Sequence, residues 1–541
     1  MKKVLLLSAL LLASCTININ GITSSSSEET NSSSFQSSFI SQESSSSQSS
    51  SIQSSSESIS SSNEEDIWNQ PFQDAEEAIK YTYFDDEKAY KDTDTLSIPE
   101  QGEVNAKTSK LNFFEINDTH GALFSDDEII GMDRVSTLMK ELEAKDGEYI
   151  NLLVGDIFQG GWLSNNTRGK AFTSTLNALD FSCFVLGNHE FDWGLDVIAQ
   201  YKDGIIENGE LNMPVLGANI YYANTDTHPS WIDPYTIVNS NGYKVGIIGA
   251  IGEAQYGSIA SDKAGPFEFK NTESLIKKYA IELRQKRQCD VVVLAIHEYD
   301  ENNNNNRYAS LGDNAAIDAI FCAHTHSRIE ETVTRSDGYQ IPVIQSNTKN
   351  ISAGLINMKI NNGSITYDMS HKYPEDYAKD QEITSLIYDE YKDIILAGEE
   401  NVGYTSRQLD RSVIGNETVK YFNKYYQSDF ACINTGGVRA NISYGNIKAS
   451  KILEVYPFEN RILLVKISGA DLKKFMSYCD YFYYENRIDT INNNNIYHMS
   501  IIDFVYMRYI DTLSNTTFIY SGDYIRDVYI ESIKENHPIN K

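Results

Sequence analysis

Residues 111–121 read Leu111-Asn112-Phe113-Phe114-Glu115-Ile116-Asn117-Asp118-Thr119-His120-Gly121. The apolar run Leu111–Ile116 has the length and composition of a buried strand. It stops at a cluster of Asn, Asp and His. Four more runs behave the same way. Tyr149–Val154 is followed by Gly155-Asp156, and Phe181–Leu186 by Gly187-Asn188-His189-Glu190-Phe191-Asp192. Val291–Ile296 is followed by His297-Glu298, and Ala319–Ala323 by His324-Thr325-His326. Helical stretches such as Arg134–Ala144, Ala171–Leu179 and Glu273–Arg287 lie between them. This alternation predicts an α/β layered fold. Ligands of such sheets bind beyond the carboxyl ends of the strands, so the five tips are expected to converge. Any one of these residues alone reads as a cap or a turn. Together they hold five of the nine histidines, His120, His189, His297, His324 and His326.

The chain has 541 residues, enough for two to four domains. With 41% hydrophobic and 22% charged residues it is too polar for a multi-span membrane protein. Lys+Arg number 45 against 76 Asp+Glu, a net charge of −31 that argues against nucleic acid as a partner. An anionic substrate remains compatible, because bound metal reverses the field locally. Six cysteines are too few for a disulfide scaffold. Cys183, Cys289, Cys322 and Cys432 lie in or beside apolar runs and read as small buried hydrophobes.

The series Asn-Asp-x-His, Gly-Asp, Gly-Asn-His-Glu, His and His-x-His resembles the calcineurin-like metallophosphoesterase superfamily. Asn117–Gly121 and Gly187–Asp192 resemble its 5′-nucleotidase/UDP-sugar hydrolase branch. Ala323 stands where that family usually has Gly before His-x-His. The resemblance implies a four-layer α/β/β/α metal domain over 109–372, a linker helix over 373–400, and a smaller α+β substrate domain over 401–541. It implies two divalent metal ions. One would be held by Asp118, His120, Asp156 and His326, the other by Asp156, Asn188, His297 and His324, with Asp156 shared. Two dications less two aspartate charges leave a positive centre for a phosphate. The mixed N and O ligands suit Zn, Mn, Fe or Co alike. The resemblance makes His189 a catalytic group oriented by Asp192. Read locally, Asp192 is also a candidate N-cap of the helix-like stretch that follows.

In 373–400 the spaced residues Ile383, Leu386, Ile387, Tyr391, Ile394 and Ile395 predict an amphipathic helix. Beyond it, Asn434-Thr435-Gly436-Gly437-Val438-Arg439 and Tyr456-Pro457-Phe458-Glu459-Asn460 resemble elements of the nucleotidase C-terminal domain. Arg439 offers a planar fork to phosphate, Phe458 a ring to stack on a base, and Asn434 a hydrogen bond. The family's second arginine corresponds to either Arg411 or Arg407. Its glycine-rich ending, which supplies a second stacking aromatic, is missing after Asp503-Phe504. Tyr506, Tyr509 and Tyr524 are the candidates there, with Tyr509 preferred.

At the other end, Met1-Lys2-Lys3, the apolar run Val4–Leu12 and Ala13-Ser14-Cys15 describe a secretory signal too short to span a bilayer. Leu12-Ala13-Ser14-Cys15 resembles the lipobox of bacterial lipoproteins, which implies lipidation at Cys15; a plain signal peptide is the alternative. Residues 16–66 are Ser-rich and read as a disordered tether to the membrane. Residues 67–108 read as an extension packed on the first folded domain. The expected protein is a surface-anchored two-metal phosphoesterase acting on extracellular nucleotide monoesters, on the outer face of the cell membrane, with no protein partner. The alternatives are cyclic-nucleotide, UDP-sugar or non-nucleotide phosphate substrates, or a non-catalytic binding protein.

Overall fold

The computed structural model describes residues 67–75, 100–103, 105–126, 128–300, 307–308 and 310–539. The signal, Cys15 and the Ser-rich tether fall outside the described residues.

Two sheets form the first domain. One runs Ser364–Lys372, Ala353–Asn361, Lys110–Ile116, Tyr149–Val154, Cys183–Val185, Val215–Leu216, and its last four strands are parallel. The other runs Ile329–Thr334, Gln340–Gln345, Ala319–Phe321, Val291–His297, Tyr243–Ile251, Tyr235–Ser240, Glu100–Gln101. Side chains along each strand alternate between two cores, as the strand period of two requires. Leu111 and Phe113 meet Val245, Ile247, Val293 and Phe321 between the sheets. Phe114 and Ile116 face outward to Val135, Leu138 and Phe172 of flanking helices. Val292, Leu294 and Ile296 face the other way, onto Ile276, Ala280 and Leu283 of the helix Thr272–Gln285. The order is therefore helix, sheet, sheet, helix. Burial on both faces explains why these strands read as unbroken apolar runs.

The linker helix spans Gln381–Gly398. Asp380 caps it, accepting the N–H of Glu382 at 3.0 Å. Ile383, Ile387 and Tyr391 are buried against the outer core of the metal domain, while Leu386 is exposed. Trp162 Nε1 donates to Ile394 O at 2.7 Å. No helix among the described residues is long and apolar enough to cross a membrane.

The second domain is built on one mixed sheet, in the order Gln73–Asp74, Thr517–Tyr524, Arg461–Ser468, Ile496–Ile502, Phe430–Asn434, Phe482–Asn486. Its first strand corrects the sequence reading of the extension. Residues 67–75 pack on the second domain and not on the first. Trp68 is buried there, donating Nε1 to Tyr426 O at 2.8 Å and stacking on His498. The later part of the extension does join the first domain: Glu100–Gln101 pairs beside Tyr235–Ser240, Lys107 pairs with Asp290 at 2.6 Å, and Thr108 donates its N–H to Asn241 O at 3.0 Å.

Candidate active site

The strand ends predicted to converge do so, from both sheets at once. The loops after Lys110–Ile116 and Tyr149–Val154 are zipped together: the N–H groups of Asp118, His120 and Gly121 donate to Gly155, Asp156 and Ile157 carbonyls at 2.9–3.0 Å. Five of the seven candidate ligands, Asp118, His120, Asp156, His324 and His326, have positive φ. Such backbone is costly for residues with a Cβ and persists where the surroundings fix it, typically at functional sites. Gly155 and Gly187 make the close packing possible. A Cβ on Gly155 would collide with His297 Nδ1, and one on Gly187 with Asp156 Oδ1.

Three groups of side chains could hold metal ions: Asp118, His120 and His326; Asp156, His297 and His324; and His120, Asp156 and His189. His326 Nε2 lies 3.2 Å from Asp118 Oδ1 and 3.0 Å from His120 Nε2. His297 Nε2 lies 3.1 Å from Asp156 Oδ2, and Asn188 Oδ1 lies 3.0 Å from His324 Nδ1. Asp118 Oδ1, Asp156 Oδ2 and His297 Nε2 are buried and take no hydrogen bond. Buried polar atoms are nearly always paired, so three orphans aimed at one another fit a pair of divalent cations as their partners. Second contacts fix the ligand rings: His297 Nδ1 is 2.8 Å from Val154 O, and His120 Nδ1 3.3 Å from Gln159 O.

Electrostatics keeps the two aspartates ionised. Burial works to raise the Asp118 carboxyl, but the adjacent His326 imidazole and the His297 charge outweigh it and hold it at about 2. Asp156 is likewise held well below the usual carboxylate range, burial being overcome by His297 and His189. Burial lowers the His297 pKa, but the adjacent Asp156 carboxylate prevails and pushes it up to about 10.

His189 Nδ1 is 2.8 Å from Asp192 Oδ2, while its Nε2 lies 4.0 Å from Asp156 Oδ2. Burial depresses the His189 pKa, yet the Asp192 and Asp156 charges leave it raised overall. Asp192 does not cap the next helix. That helix is Leu195–Ala199, and Gly194 occupies its N-cap.

The second domain closes over this cluster. Phe458 stacks on His189, with ring centroids 5.5 Å apart and planes at 24°. Asn165 Nδ2 donates to Pro457 O at 2.9 Å, and Arg168 pairs with Glu459 at 2.8 Å. The resulting cleft has a volume of about 860 Å³, and Asn434, Arg439 and Phe458 all line it. Asn434 Oδ1 is buried without a hydrogen bond. Arg439 lies over the Phe458 ring at 5.8 Å. Burial lowers its pKa, partly offset by Asp156 and Asp192.

Not every sequence candidate reaches the cleft. Arg411 starts the helix Arg411–Tyr425 and donates its backbone N–H to Asn441 Oδ1; it is near enough to Arg439 to repel it but is not part of the cleft wall. Arg407 precedes that helix, in the loop after Asn401–Thr405. Tyr509 belongs to a different aromatic group, with Phe475, Tyr478 and Phe482. Tyr506 is buried against Phe518. Of the three tyrosine candidates Tyr524 does line the cleft, together with Phe504.

Sequence reasoning also passed over Glu190. Its buried carboxylate accepts the N–H groups of Asp156 and Gly187 at 2.8 Å and of Ile157 at 2.9 Å. It thereby ties two ligand loops together. Burial raises its pKa to about 7. The only sequence signal was its place in Gly-Asn-His-Glu.

Histidine and aspartate clusters at the strand ends of two stacked sheets define a metal-dependent phosphoesterase. Residues 111–328 match the calcineurin-like phosphoesterase family, and residues 393–506 match the 5′-nucleotidase C-terminal domain. The chain belongs to the 5′-nucleotidase family of hydrolases with a calcineurin-like metallophosphoesterase domain. A 5′-nucleotidase of Vibrio cholerae serotype O1 is 24% identical over 427 residues, covering 69% of this chain and 76% of its own length. An apyrase of Aedes albopictus is 26% identical over 419 residues, covering 68% and 72%. The crystal structure of a 5′-nucleotidase precursor from Thermus thermophilus has the same fold, with a TM-score of 0.69 at 19% identity, covering 79% of this chain and 97% of that one.

Proposed function

We propose that the protein hydrolyses nucleotide phosphomonoesters to nucleoside and phosphate, outside the cell, while held on the membrane by a lipid on Cys15. The observation that carries the catalytic half is the meeting of Asp156, Asn188, His324 and His326 with Arg439, Asn434 and Phe458 across one cleft. The anchoring half rests on the Lys2-Lys3, Val4–Leu12 and Ala13-Ser14-Cys15 series.

In this reading Asp118, His120, Asp156 and His326 hold one ion, and Asp156, Asn188, His297 and His324 the other. Such a pair supplies Lewis-acid stabilisation of phosphoryl oxygens and activates water at neutral pH. The chain's own groups do the rest. Arg439 binds and orients the phosphate. Asp192 accepts from His189 Nδ1, which leaves Nε2 to hold a proton at the leaving ribose oxygen. Phe458 stacks with His189 on one face and offers the other to the base. Asn434 Oδ1 accepts from a hydroxyl or an amino group of the nucleoside. The seat of the second domain over the cluster keeps bulk water out.

The test is phosphate release by the Mn- or Zn-loaded protein from 5′-AMP, UDP-glucose, 2′,3′-cyclic AMP and p-nitrophenyl phosphate side by side. A preference for 5′-AMP is expected. Turnover of the aryl phosphate alone would contradict the nucleotide reading while leaving the metal chemistry standing. For the anchor, palmitate labelling should be lost in Cys15→Ser, with phosphatase activity retained in the released protein.

A further inference from the structure

We propose that the far end of the cleft is a second anion subsite centred on Arg461, selecting nucleotides that carry a phosphate or carboxylate remote from the scissile phosphate. The proposal rests on the nucleotide reading above.

The cleft wall includes Asp156, Asn188 and His324, then Phe458 of the second domain, and also Arg461, Tyr520 and Tyr524. Its volume of about 860 Å³ is near the top of the usual range for small-molecule sites. A nucleoside monophosphate with its phosphate at the ligand cluster and its base on Phe458 leaves that far end unfilled.

Charges around this part of the cleft are mostly committed. Arg168 pairs with Glu459, and Lys263 lies 3.7 Å from Asp262. Arg526 donates to Pro457 O at 3.2 Å. Arg439 faces the ligand cluster. Arg461 is different. Among the described residues its guanidinium, at the exposed start of its strand, makes no hydrogen bond and no ion pair within 4 Å, although its charge bears on the cleft-lining Asp503 carboxylate. Its Cζ lies 5.6 Å from the Tyr520 ring centroid and 6.0 Å from that of Tyr524. Its backbone N–H donates to the Asp503 carboxylate.

The local backbone explains the aim. Arg461 begins the strand Arg461–Ser468 and pairs with Tyr524, but the register slips between Arg461 and Leu463. A bulge of this kind turns a side chain away from the regular face of a sheet, commonly next to a binding site. Here it brings Arg461 into the cleft beside two tyrosine faces. Cation–π contact orients the guanidinium plane and leaves its N–H fork free. A free, planar, permanently charged fork binds phosphate or carboxylate in a bidentate way.

The test compares kcat/KM for 5′-AMP, adenosine 3′,5′-bisphosphate and N6-(1,2-dicarboxyethyl)-AMP in the fully metal-loaded enzyme, Arg461→Gln and Arg461→Lys. The wild type should favour at least one doubly anionic nucleotide over 5′-AMP by about five-fold, the scale of one partly exposed ion pair. Arg461→Gln should bring that ratio to near one, mainly through KM, and Arg461→Lys should retain part of it. The bisphosphate arm identifies a sugar phosphate as the second anion, the dicarboxylate arm a base substituent. A wild-type preference for 5′-AMP over both, or a ratio unmoved by Arg461→Gln, would overturn the subsite alone. Turnover of p-nitrophenyl phosphate but of none of the three nucleotides would overturn the nucleotide reading together with it.

Discussion

The two walls of the cleft are made by different means. On the metal side, Asp118, Asp156, His297 and His324 sit at or just past the ends of strands buried on both faces, and their loops are cross-bonded through backbone N–H groups and Glu190. On the opposite side, Arg439 follows the tight turn Thr435–Gly437, Phe458 sits in a loop, and Phe504 lies in the helix Asp503–Arg508. The first wall is fixed by the core of its domain. The second is assembled from loops and helix ends, whose side chains can change without disturbing a sheet. In the proposed reading the metal side carries the hydrolytic chemistry, and the other side decides what is presented to it.

Mutations on the two walls should fail in different ways. Asp156→Ala removes the carboxylate that both proposed ion positions would share. Turnover should fall by about four orders of magnitude, as for groups that act as one unit. Metal content measured by mass spectrometry should drop at both positions together. His189→Ala should lower kcat by about two to three orders of magnitude, the range for a general acid, with metal content unchanged. Loss of metal in that variant would move His189 into the ligand set.

Glu190→Gln sharpens the comparison, because it changes nothing that touches substrate. The amide would set donor against the N–H groups of Asp156 and Gly187. Metal affinity should weaken by about ten- to a hundred-fold, typical for a group that orients ligands. Chelator competition reads this directly, and an unchanged affinity would show that the loops hold themselves. On the opposite wall, Phe504→Ala should raise KM for 5′-AMP by about ten-fold, the scale of one lost base–aromatic stack. Tyr509→Ala, which loosens the group with Phe475 and Phe482, should lower the melting temperature and leave that KM unchanged.

The same contrast explains what the sequence could reveal. The metal wall was legible because strand periodicity locates the strand ends, and His and Asp there have few other uses. Glu190 was not, since a carboxylate serving backbone N–H groups looks like any acidic residue beside a motif. On the substrate wall, Asn434, Arg439 and Phe458 were legible as motifs and all reach the cleft. That Phe504 lines the cleft and Tyr509 does not was not legible. Their positions differ by five residues across a short helix, and only its packing decides which ring faces the cleft. Residues 67–75 at the start of the extension were misplaced for a related reason. Edge pairing of Gln73–Asp74 with Thr517–Tyr524 joins segments from opposite ends of the chain, which no local pattern announces.

The most direct measurement is an anomalous-scattering map from crystals grown with Mn and a non-hydrolysable 5′-AMP analogue. Two peaks bridged by Asp156, with the analogue's phosphate between them and Arg439, are the predicted result. A single peak, or two that share no Asp156 oxygen, would contradict the account.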